Sequence, residues 1–357
     1  MKIHFIISSL RGGGAERVSA LLANDFIKKN ISVTFITFNQ GDQYELNNKI
    51  KRVKLHHGNI PNHTVRSLFN LLSFYRKKEN RPDLILSFIT LTNLISILTA
   101  KLYRIKIIGC EHNSHLRNTF QTDKFTKKYI YRSADAITVL TNFDVPYYRK
   151  YNANVVVMPN PATFKGLQKN THARDKVILA VGSLNRYKTK GFDQMMYIVK
   201  PIFQKFPEWK LKILGKGDEE MKTLKTIANE LNISNHVEFM GFRKDVNKIM
   251  QSSDIFILPS RYEGLPMVLV EAMSQGMACI AFDCVTGPGD IIHDQVDGIL
   301  VEDQNQEKMT SEIQMLISDP DLRKKLANNA IKNVERFHID KITERWFELF
   351  HEIIQRA

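Results

Sequence analysis

Cysteine is scarce in this chain of 357 residues, and its placement excludes several classes of protein. The three cysteines, Cys110, Cys279 and Cys284, form no CxxC pair and no spacing typical of a metal site. They predict reduced, mostly buried thiols of a cytosolic protein rather than a disulfide framework. The 11 histidines are scattered, and the adjacent His56 and His57 would point to opposite faces of a strand. The sequence therefore indicates no metal centre.

Long apolar runs are also missing. The longest, from Leu84 to Leu102, contains five Ser/Thr residues and one Asn. A membrane-spanning helix needs about 20 predominantly apolar residues, so we expect a buried strand followed by a buried helix here. The apolar start of the chain runs into RGGGAER rather than a small-residue cleavage site. This pattern favours a first strand over an export signal.

Acidic residues are few in the first half of the chain. Residues 1–160 hold 24 Lys/Arg and 10 Asp/Glu, whereas residues 161–357 hold 27 of each kind. The whole net charge of +14 therefore lies in the first half. Such asymmetry favours a polyanionic partner, either membrane phosphates or nucleic acid.

Strand-like and helix-like runs, by contrast, are plentiful and alternate along the chain. Six strand-like runs lie in each half, among them KIHFIIS, KIIGC, KVILAVG and DIFILP, with helical patterns such as 15–29 and 219–231 between them. This alternation predicts an α/β fold with parallel sheets. The length suits two domains, 1–160 and 176–337. The polar stretch 161–175, entered through two prolines, is interpreted as a linker.

The run SRYEGLPMVLVEAMSQGMACIAF carries the most chemical information. It places Glu263 and Glu271 eight positions apart around a Gly-Leu-Pro turn that follows a strand-like run. Pro266 can open a helix that ends before Gly276. Unpaired N–H groups at a helix start favour a bound phosphate. Glu271 lies five residues into that helix, about 7.5 Å along its axis. This distance suits contact with the ribose of a nucleotide whose phosphate lies at the helix start.

This string resembles the E-x7-E signature of the retaining glycosyltransferases of family 4, which have the GT-B fold. The resemblance implies two Rossmann-like α/β domains whose parallel sheets face each other across a cleft. Residues 1–160 would bind the acceptor, and residues 176–337 would bind a nucleotide-sugar. The basic excess of residues 1–160 suggests that this first domain faces the membrane. The segment 338–357, with its amphipathic run 340–354, matches the C-terminal helix that crosses back to the first domain.

The resemblance also assigns roles to the residues of the motif. Glu271 would hydrogen-bond the ribose hydroxyls of the nucleotide-sugar. Glu263 and the turn formed by Gly264, Leu265 and Pro266 would hold the transferring sugar and the distal phosphate. Without the surrounding pattern, two glutamates at this spacing would more often be a helix cap and an ion-paired residue.

A glycine-rich turn, GGGAER, follows the first strand-like run. Three glycines let backbone amides approach a phosphate closely. Arg17 stands where a dinucleotide-binding GxGxxG loop has its third glycine, and the second strand ends without an acid, which disfavours nicotinamide binding. The turn resembles the first loop of family 4 enzymes, so Gly13 and Gly14 are predicted donor contacts. Tight turns alone also use glycine.

His112 follows the run KIIGC, at the strand end where α/β sheets place their ligands. Family 4 enzymes carry a histidine at this place that contacts the donor sugar, so the resemblance makes His112 a catalytic candidate. An isolated histidine is more often structural. Its neighbour Glu111 would be either an acceptor-side base or an orienting partner.

The loop after KVILAVG supplies cations that would neutralise the leaving diphosphate. Lys190 and the glycine after it match the lysine–glycine of the family. Ser183 stands where the family usually has arginine, so Arg186, or less well Lys188, would reach the phosphate from a longer loop. A later turn, TGPGD, adds Gly287 as a further possible contact.

The resemblance, together with the charge pattern, implies a metal-independent, cofactor-free, retaining hexosyltransferase on the cytoplasmic side of a membrane. It would move a hexose or N-acetylhexosamine from a nucleotide-sugar, preferably UDP-linked, to a lipid-linked saccharide in surface glycan assembly. The basic run Arg76, Lys77 and Lys78 beside LFNLLSFY suits anionic headgroups. A UDP-sugar epimerase of the same fold is the alternative. A nucleic-acid-binding protein would interleave aromatic and basic residues on a groove, and it gives no reason for EGLPMVLVE.

Overall fold

The apolar, β-branched runs of the sequence form the strands of two parallel sheets. The computed structural model describes residues 1–116, 120–168 and 174–355. One unit consists of Met1–Pro161 with the helix Ile339–Gln355, and the other of Ala162–His338. Each unit has its own sheet and its own apolar core.

Both sheets are entirely parallel. Their strand orders are β3-β2-β1-β4-β5-β6-β7 and β10-β9-β8-β11-β12-β13, the doubly wound arrangement of nucleotide-binding folds. The strands are β1 Lys2–Ile7, β2 Ser32–Thr37, β3 Lys51–Lys54, β4 Leu84–Phe88, β5 Lys106–Cys110, β6 Ala136–Val139, β7 Val155–Val157, β8 Asp175–Val181, β9 Lys210–Leu214, β10 Val237–Gly241, β11 Ser253–Leu258, β12 Ala278–Phe282 and β13 Ile299–Val301.

Helices connect the strands, as the alternating pattern predicted. They are α1 Gly14–Lys28, α2 His63–Arg76, α3 Thr90–Tyr103, α4 Gln121–Phe125, α5 Val145–Arg149, α6 Phe192–Lys205, α7 Asp218–Glu230, α8 Val246–Ser252, α9 Met267–Ser274, α10 Pro288–Ile291, α11 Gln306–Ser318, α12 Pro320–Asn333 and α13 Ile339–Gln355. A π-helical turn, Thr126–Ile130, continues α4. In the described parts of the chain, no helix has both the length and the apolar character needed to cross a membrane.

The predicted strands are confirmed, and one strand was missed. The run from Leu84 to Leu102 forms β4, which is buried as expected, and α3. The expected buried helix is buried on one side only, because Leu91, Leu98 and Leu102 are exposed. The missed strand is β3, whose sequence KRVK has a single apolar residue. Among the described strands it pairs with β2 alone, at the edge of the sheet, so its side chains remain partly exposed. Because little of it is buried, hydrophobic patterning does not reveal it.

The final helix, α13, belongs to the core of the first unit. Its residues Trp346 and Phe350 pack with α1 and the first sheet, and the rings of Phe350 and Phe26 meet edge to face at 5.6 Å. The buried hydroxyl of Thr343 donates a hydrogen bond of 2.8 Å to the carboxylate of Asp25 in α1. The first unit therefore depends on residues from both ends of the chain.

Replacing Phe350 with alanine should destabilise the first unit by about 3–5 kcal/mol, because it deletes a buried aromatic side chain and leaves a cavity. Ile354, one turn further along α13, is 40% exposed, against 1% for Phe350. Ile354→Ala is therefore the matched control and should change stability by much less. Urea unfolding followed by circular dichroism measures both. Equal losses would contradict the packing described for α13.

Candidate functional site

The candidate site of the second unit lies where its strand order reverses. β8 and β11 are neighbours, but the chain continues from β8 to β9 on one side and from β11 to β12 on the other side of the sheet. In open α/β sheets, ligands bind at the carboxyl ends of the strands at such a switch point. The loops that follow these strands are 182–191 and 259–266, and both carry residues that the sequence singled out.

Lys190 and Glu263 form an ion pair between the two loops. The Lys190 Nζ lies 2.7 and 2.9 Å from the two carboxylate oxygens of Glu263. The Ser260 hydroxyl donates to the same carboxylate at 2.6 Å. Both charged side chains are largely buried, so each depends on its partner. An anionic ligand at this edge would compete with Glu263 for the lysine.

The turn from Gly264 to Pro266 is fixed by the turn after β12. The Thr286 hydroxyl donates to the carbonyl of Glu263. Gly287 has a φ of +95°, and a Cβ there would overlap the carbonyl oxygen of Gly264 and the ring of Pro266. Only glycine fits this position. The structure thus brings Gly287 against the E-x7-E motif.

The helix α9 places Glu271 behind this turn. It begins at Met267, one residue after Pro266, and Gly276 follows its end with a φ of +69°. Glu271 is the fifth residue of the helix, one position nearer its start than predicted from a helix opening at Pro266, and is buried. Its carboxylate accepts a hydrogen bond from the Thr163 hydroxyl. A ribose hydroxyl would have to share this carboxylate with Thr163.

Part of the segment interpreted as a linker, 161–175, packs against the end of α9. The amide of Leu167 donates to the carbonyl of Ser274 at 2.9 Å. The side-chain amide of Gln275 donates to the carbonyl of Lys165 at 3.0 Å. Its described residues from 162 onward belong to the second unit. Residues 169–173 lie outside the described part of the chain.

Arg261 clamps the two loops together. Its guanidinium lies 2.6 and 3.1 Å from the two carboxylate oxygens of Asp193, in the first turn of α6. It also donates to the carbonyl of Lys188, and its own amide donates to the carbonyl of Thr189 at 2.9 Å. Arg261 therefore holds the residues on both sides of Lys190. We did not predict this role, because Asp193 lies 68 positions away in the sequence.

The second cation of the loop remains a choice between Arg186 and Lys188. Arg186 is exposed in a short 3₁₀ turn, and its side chain has no hydrogen bond or ion pair within the described residues. The Nζ of Lys188 lies 5.9 Å from the centre of the Tyr187 ring. Ser183, also exposed, precedes the 3₁₀ turn. Both cations are exposed, and the preference for Arg186 over Lys188 stays a prediction.

In the first unit, Gly13 and Gly14 lie exposed at the start of α1. The amide of Gly13 donates to the Tyr44 hydroxyl at 3.3 Å. Around Gly14, a Cβ would meet nothing within 4 Å. The backbone here is therefore accessible, as an approach by phosphate requires.

His112 follows β5 at the carboxyl edge of the first sheet. Its ring stacks on Phe88 at 5.5 Å between centres, and its buried Nδ1 has no hydrogen-bond partner in the described residues. Burial lowers the pKa of His112 from 6.5 to about 4. The ring is therefore neutral at pH 7, and a neutral imidazole can exchange a hydrogen bond with a sugar hydroxyl without adding charge.

Glu111, next to His112, is enclosed by protein. Its carboxylate accepts a hydrogen bond from the Tyr131 hydroxyl, which in turn accepts one of 3.0 Å from Asn93. Burial raises the pKa of Glu111, against the opposing effect of nearby Lys127. A carboxylate so enclosed does not present itself to an acceptor. The geometry therefore disfavours Glu111 as an acceptor-side base, and the hydrogen-bond partner given for its carboxylate is Tyr131 rather than His112.

Comparison with known proteins agrees with this architecture. Residues 12–163 match the model of Glycosyltransferase Family 4, and residues 164–333 match that of Glycosyl transferases group 1. The structure of HepE from Anabaena in complex with UDP superimposes with a TM-score of 0.81 at 18% identity, covering 99% of this chain and all of that one. The predicted fold class, a GT-B protein with two Rossmann-like domains, is confirmed.

Sequence relatives identify the family. The amylovoran biosynthesis glycosyltransferase AmsD of Erwinia amylovora is 32% identical over 354 residues, covering 95% of this chain and 96% of that protein. A Campylobacter jejuni α-1,4-N-acetyl-D-galactosaminyltransferase, whose name specifies a diphospho-undecaprenol-linked saccharide, is 28% identical and covers 99% of both chains. The chain belongs to the group 1 glycosyltransferases.

Arg261→Ala should loosen the loop that carries Lys190, because it removes the contacts of the guanidinium with the Asp193 carboxylate and with the carbonyl of Lys188 at once. We expect amide hydrogen exchange of the peptide 183–192 to accelerate about tenfold or more, since a charged hydrogen bond contributes about 1.5–3 kcal/mol. Arg243→Ala, which breaks a similar two-point contact with Asp245, is the control. The clamp is refuted if both variants exchange like wild type in this peptide.

Proposed function

We propose that the chain transfers a hexose or N-acetylhexosamine from a UDP-sugar to a saccharide acceptor, with retention of the anomeric configuration. The ion pair of Lys190 and Glu263 at the switch point of the second sheet is the observation that carries this proposal. It brings together Lys190, the proposed cation for a diphosphate, and Glu263, the proposed carboxylate for a sugar. The UDP in the HepE complex supports the choice of nucleotide.

In the proposed mechanism, the diphosphate gains negative charge as the glycosidic bond breaks. The ammonium group of Lys190 would exchange its contact with Glu263 for one with the leaving phosphate. Arg186 and the start of α9 would further stabilise the negative charge of the phosphate at the same edge of the sheet. Glu263, released from the lysine, would hold hydroxyls of the sugar. A covalent double displacement needs a carboxylate close under the anomeric carbon. We propose front-face substitution instead, in which the donor phosphate helps to deprotonate the acceptor.

The proposed acceptor is a lipid-linked saccharide at the cytoplasmic face of a membrane. The Campylobacter relative is named for a substrate of this kind. The net charge of +14 within residues 1–160 supports the same conclusion, because such an acceptor lies among anionic lipid headgroups. A free UDP-sugar epimerase would not need this charge.

A panel of UDP- and GDP-sugars, with release of the nucleotide as the readout, tests the donor. Each donor is offered with and without a polyprenyl-diphosphate-linked N-acetylhexosamine. Acceptor-dependent release of UDP supports the proposal, and an α-linked product from an α-linked donor supports retention. Epimerisation or hydrolysis of UDP-N-acetylglucosamine without any acceptor would instead favour the epimerase.

Two substitutions separate the proposed roles of the donor-site residues. Lys190→Ala should lower kcat by about tenfold to a hundredfold, because a charge-assisted contact of about 1.5–3 kcal/mol strengthens as the phosphate leaves. Glu271→Ala should mainly weaken UDP binding, measured by calorimetry. Lys176→Ala, which removes an exposed ion pair with Glu208, is the control. Wild-type turnover and UDP affinity in both site variants would show that the site is wrongly assigned.

The rate should not depend on a divalent metal, because Lys190, Arg186 and the start of α9 supply the positive charge that a metal would supply. Steady-state turnover in excess EDTA is therefore expected to stay within about twofold of the untreated rate. A complete loss that magnesium or manganese restores would contradict the proposed mechanism.

A further inference from the structure

The positive charge of the first unit is concentrated on one side of its sheet. Helices α2 and α3 cover one face, where their inner residues belong to one core cluster, and α4 with its π-helical continuation packs against α3. Helices α1 and α13 cover the other face. The segments 63–81, 90–104 and 120–132 of the first layer hold 11 Lys/Arg and 2 Asp/Glu. The second layer, α1 and α13, comprises segments 14–29 and 339–355, which together hold 5 Lys/Arg and 6 Asp/Glu. We name the outer surface of the first layer the basic face.

The same face exposes large apolar side chains. Phe69 on α2 is 56% exposed, Leu102 on α3 is 66% exposed and Phe125 on α4 is 52% exposed. Further exposed apolar residues on these helices and on the π-helical turn are Val65, Leu91, Leu98 and Tyr129. Within the described residues, Ile354 is the only exposed large apolar side chain of α1 and α13. Exposed apolar side chains gathered on one face mark an interaction surface.

The arrangement of charge around these side chains identifies the partner. Lys101 and Lys124 are exposed beside the apolar residues, and the Nζ of Lys128 lies 5.1 Å from the centre of the Tyr129 ring. Aromatic and aliphatic side chains interleaved with lysine are typical of surfaces that lie in a membrane interface. A second copy of the chain is disfavoured, because it would bring two strongly positive faces together.

We propose that the basic face docks on an anionic lipid bilayer, with Phe69, Leu102 and Phe125 inserted among the headgroups. The Lys and Arg residues around them, Arg76, Lys77 and Lys78 included, would contact lipid phosphates. The inference deepens the proposed function, since it names the surface that brings the enzyme to a lipid-linked acceptor. It also separates two contributions to attachment. The charged contribution weakens with salt, whereas the apolar contribution persists.

Co-sedimentation of the full-length protein with vesicles tests the proposal. Phosphatidylcholine vesicles with and without phosphatidylglycerol are compared at low and high salt. We expect binding to the anionic vesicles at low salt, and a smaller bound fraction that survives high salt. No binding to anionic vesicles, or equal binding to both vesicle types in every condition, would overturn the proposal.

Two sets of variants separate the contributions. Reversing Arg76, Lys77 and Lys78 to glutamate should lower the low-salt partition coefficient by about tenfold or more. The pair Leu102→Ser and Phe125→Ser should reduce the salt-resistant fraction, lowering the high-salt partition coefficient by about tenfold. Controls in the second unit are Lys324→Glu with Lys325→Glu, and Tyr197→Ser, all at exposed positions. Thermal unfolding checks that each variant is folded.

Two results contradict the docking surface directly. The first is a high-salt coefficient of the Leu102 and Phe125 variant equal to that of Tyr197→Ser. The second is a dimer, seen by light scattering, that this variant dissociates while vesicle binding is unchanged. The donor panel keeps the two proposals distinct. Release of UDP from a nucleotide-sugar without vesicle binding refutes docking alone, and vesicle binding without any turnover of nucleotide-sugars refutes the transferase alone.

Discussion

The pairing of β8 with β11 is the constraint on which the candidate donor site depends. These strands lie side by side, with Ile255 opposite Ile178, although about 75 residues separate them. Their central residues are buried, so burial of apolar surface drives the pairing. Once they are parallel neighbours, the loops that leave them must meet. The ion pair of Lys190 and Glu263 and the Arg261 clamp are consequences of that meeting.

The sequence was most informative where the structure is local. Apolar runs located the strands except β3, and a proline, a glycine and two glutamates located α9. The strand order was implied only by resemblance, because periodicity says nothing about which strands are neighbours. The contacts between the loops after β8 and β11 could therefore not be predicted from the sequence. Lys190 and Glu263 were assigned separate tasks, and nothing marked Arg261, since its partner Asp193 becomes close only through the fold.

Burial was the second property that the sequence left open. Glu111 and His112 are adjacent and polar, yet the carboxylate of Glu111 is enclosed by Tyr131 while His112 stacks on Phe88. From residue type alone, both side chains were candidates for a chemical role, and only their surroundings in the structure distinguish them. The charge of the first half is a similar case. Counting residues gave its size, but only the placement of helices on the two faces of the sheet shows that it is one-sided.

The membership of α13 in the first unit bears on the order in which a newly made chain can fold. Thr343 and Asp25, which bond to each other, are 318 positions apart. While the ribosome is still adding the second unit, the apolar side chains of α1, among them Phe26, have no helix to cover them. The second unit is one continuous segment and can close its core first. The first unit is therefore begun before the second unit but completed after it. Nascent chains are most exposed to aggregation while this face of the first unit is uncovered.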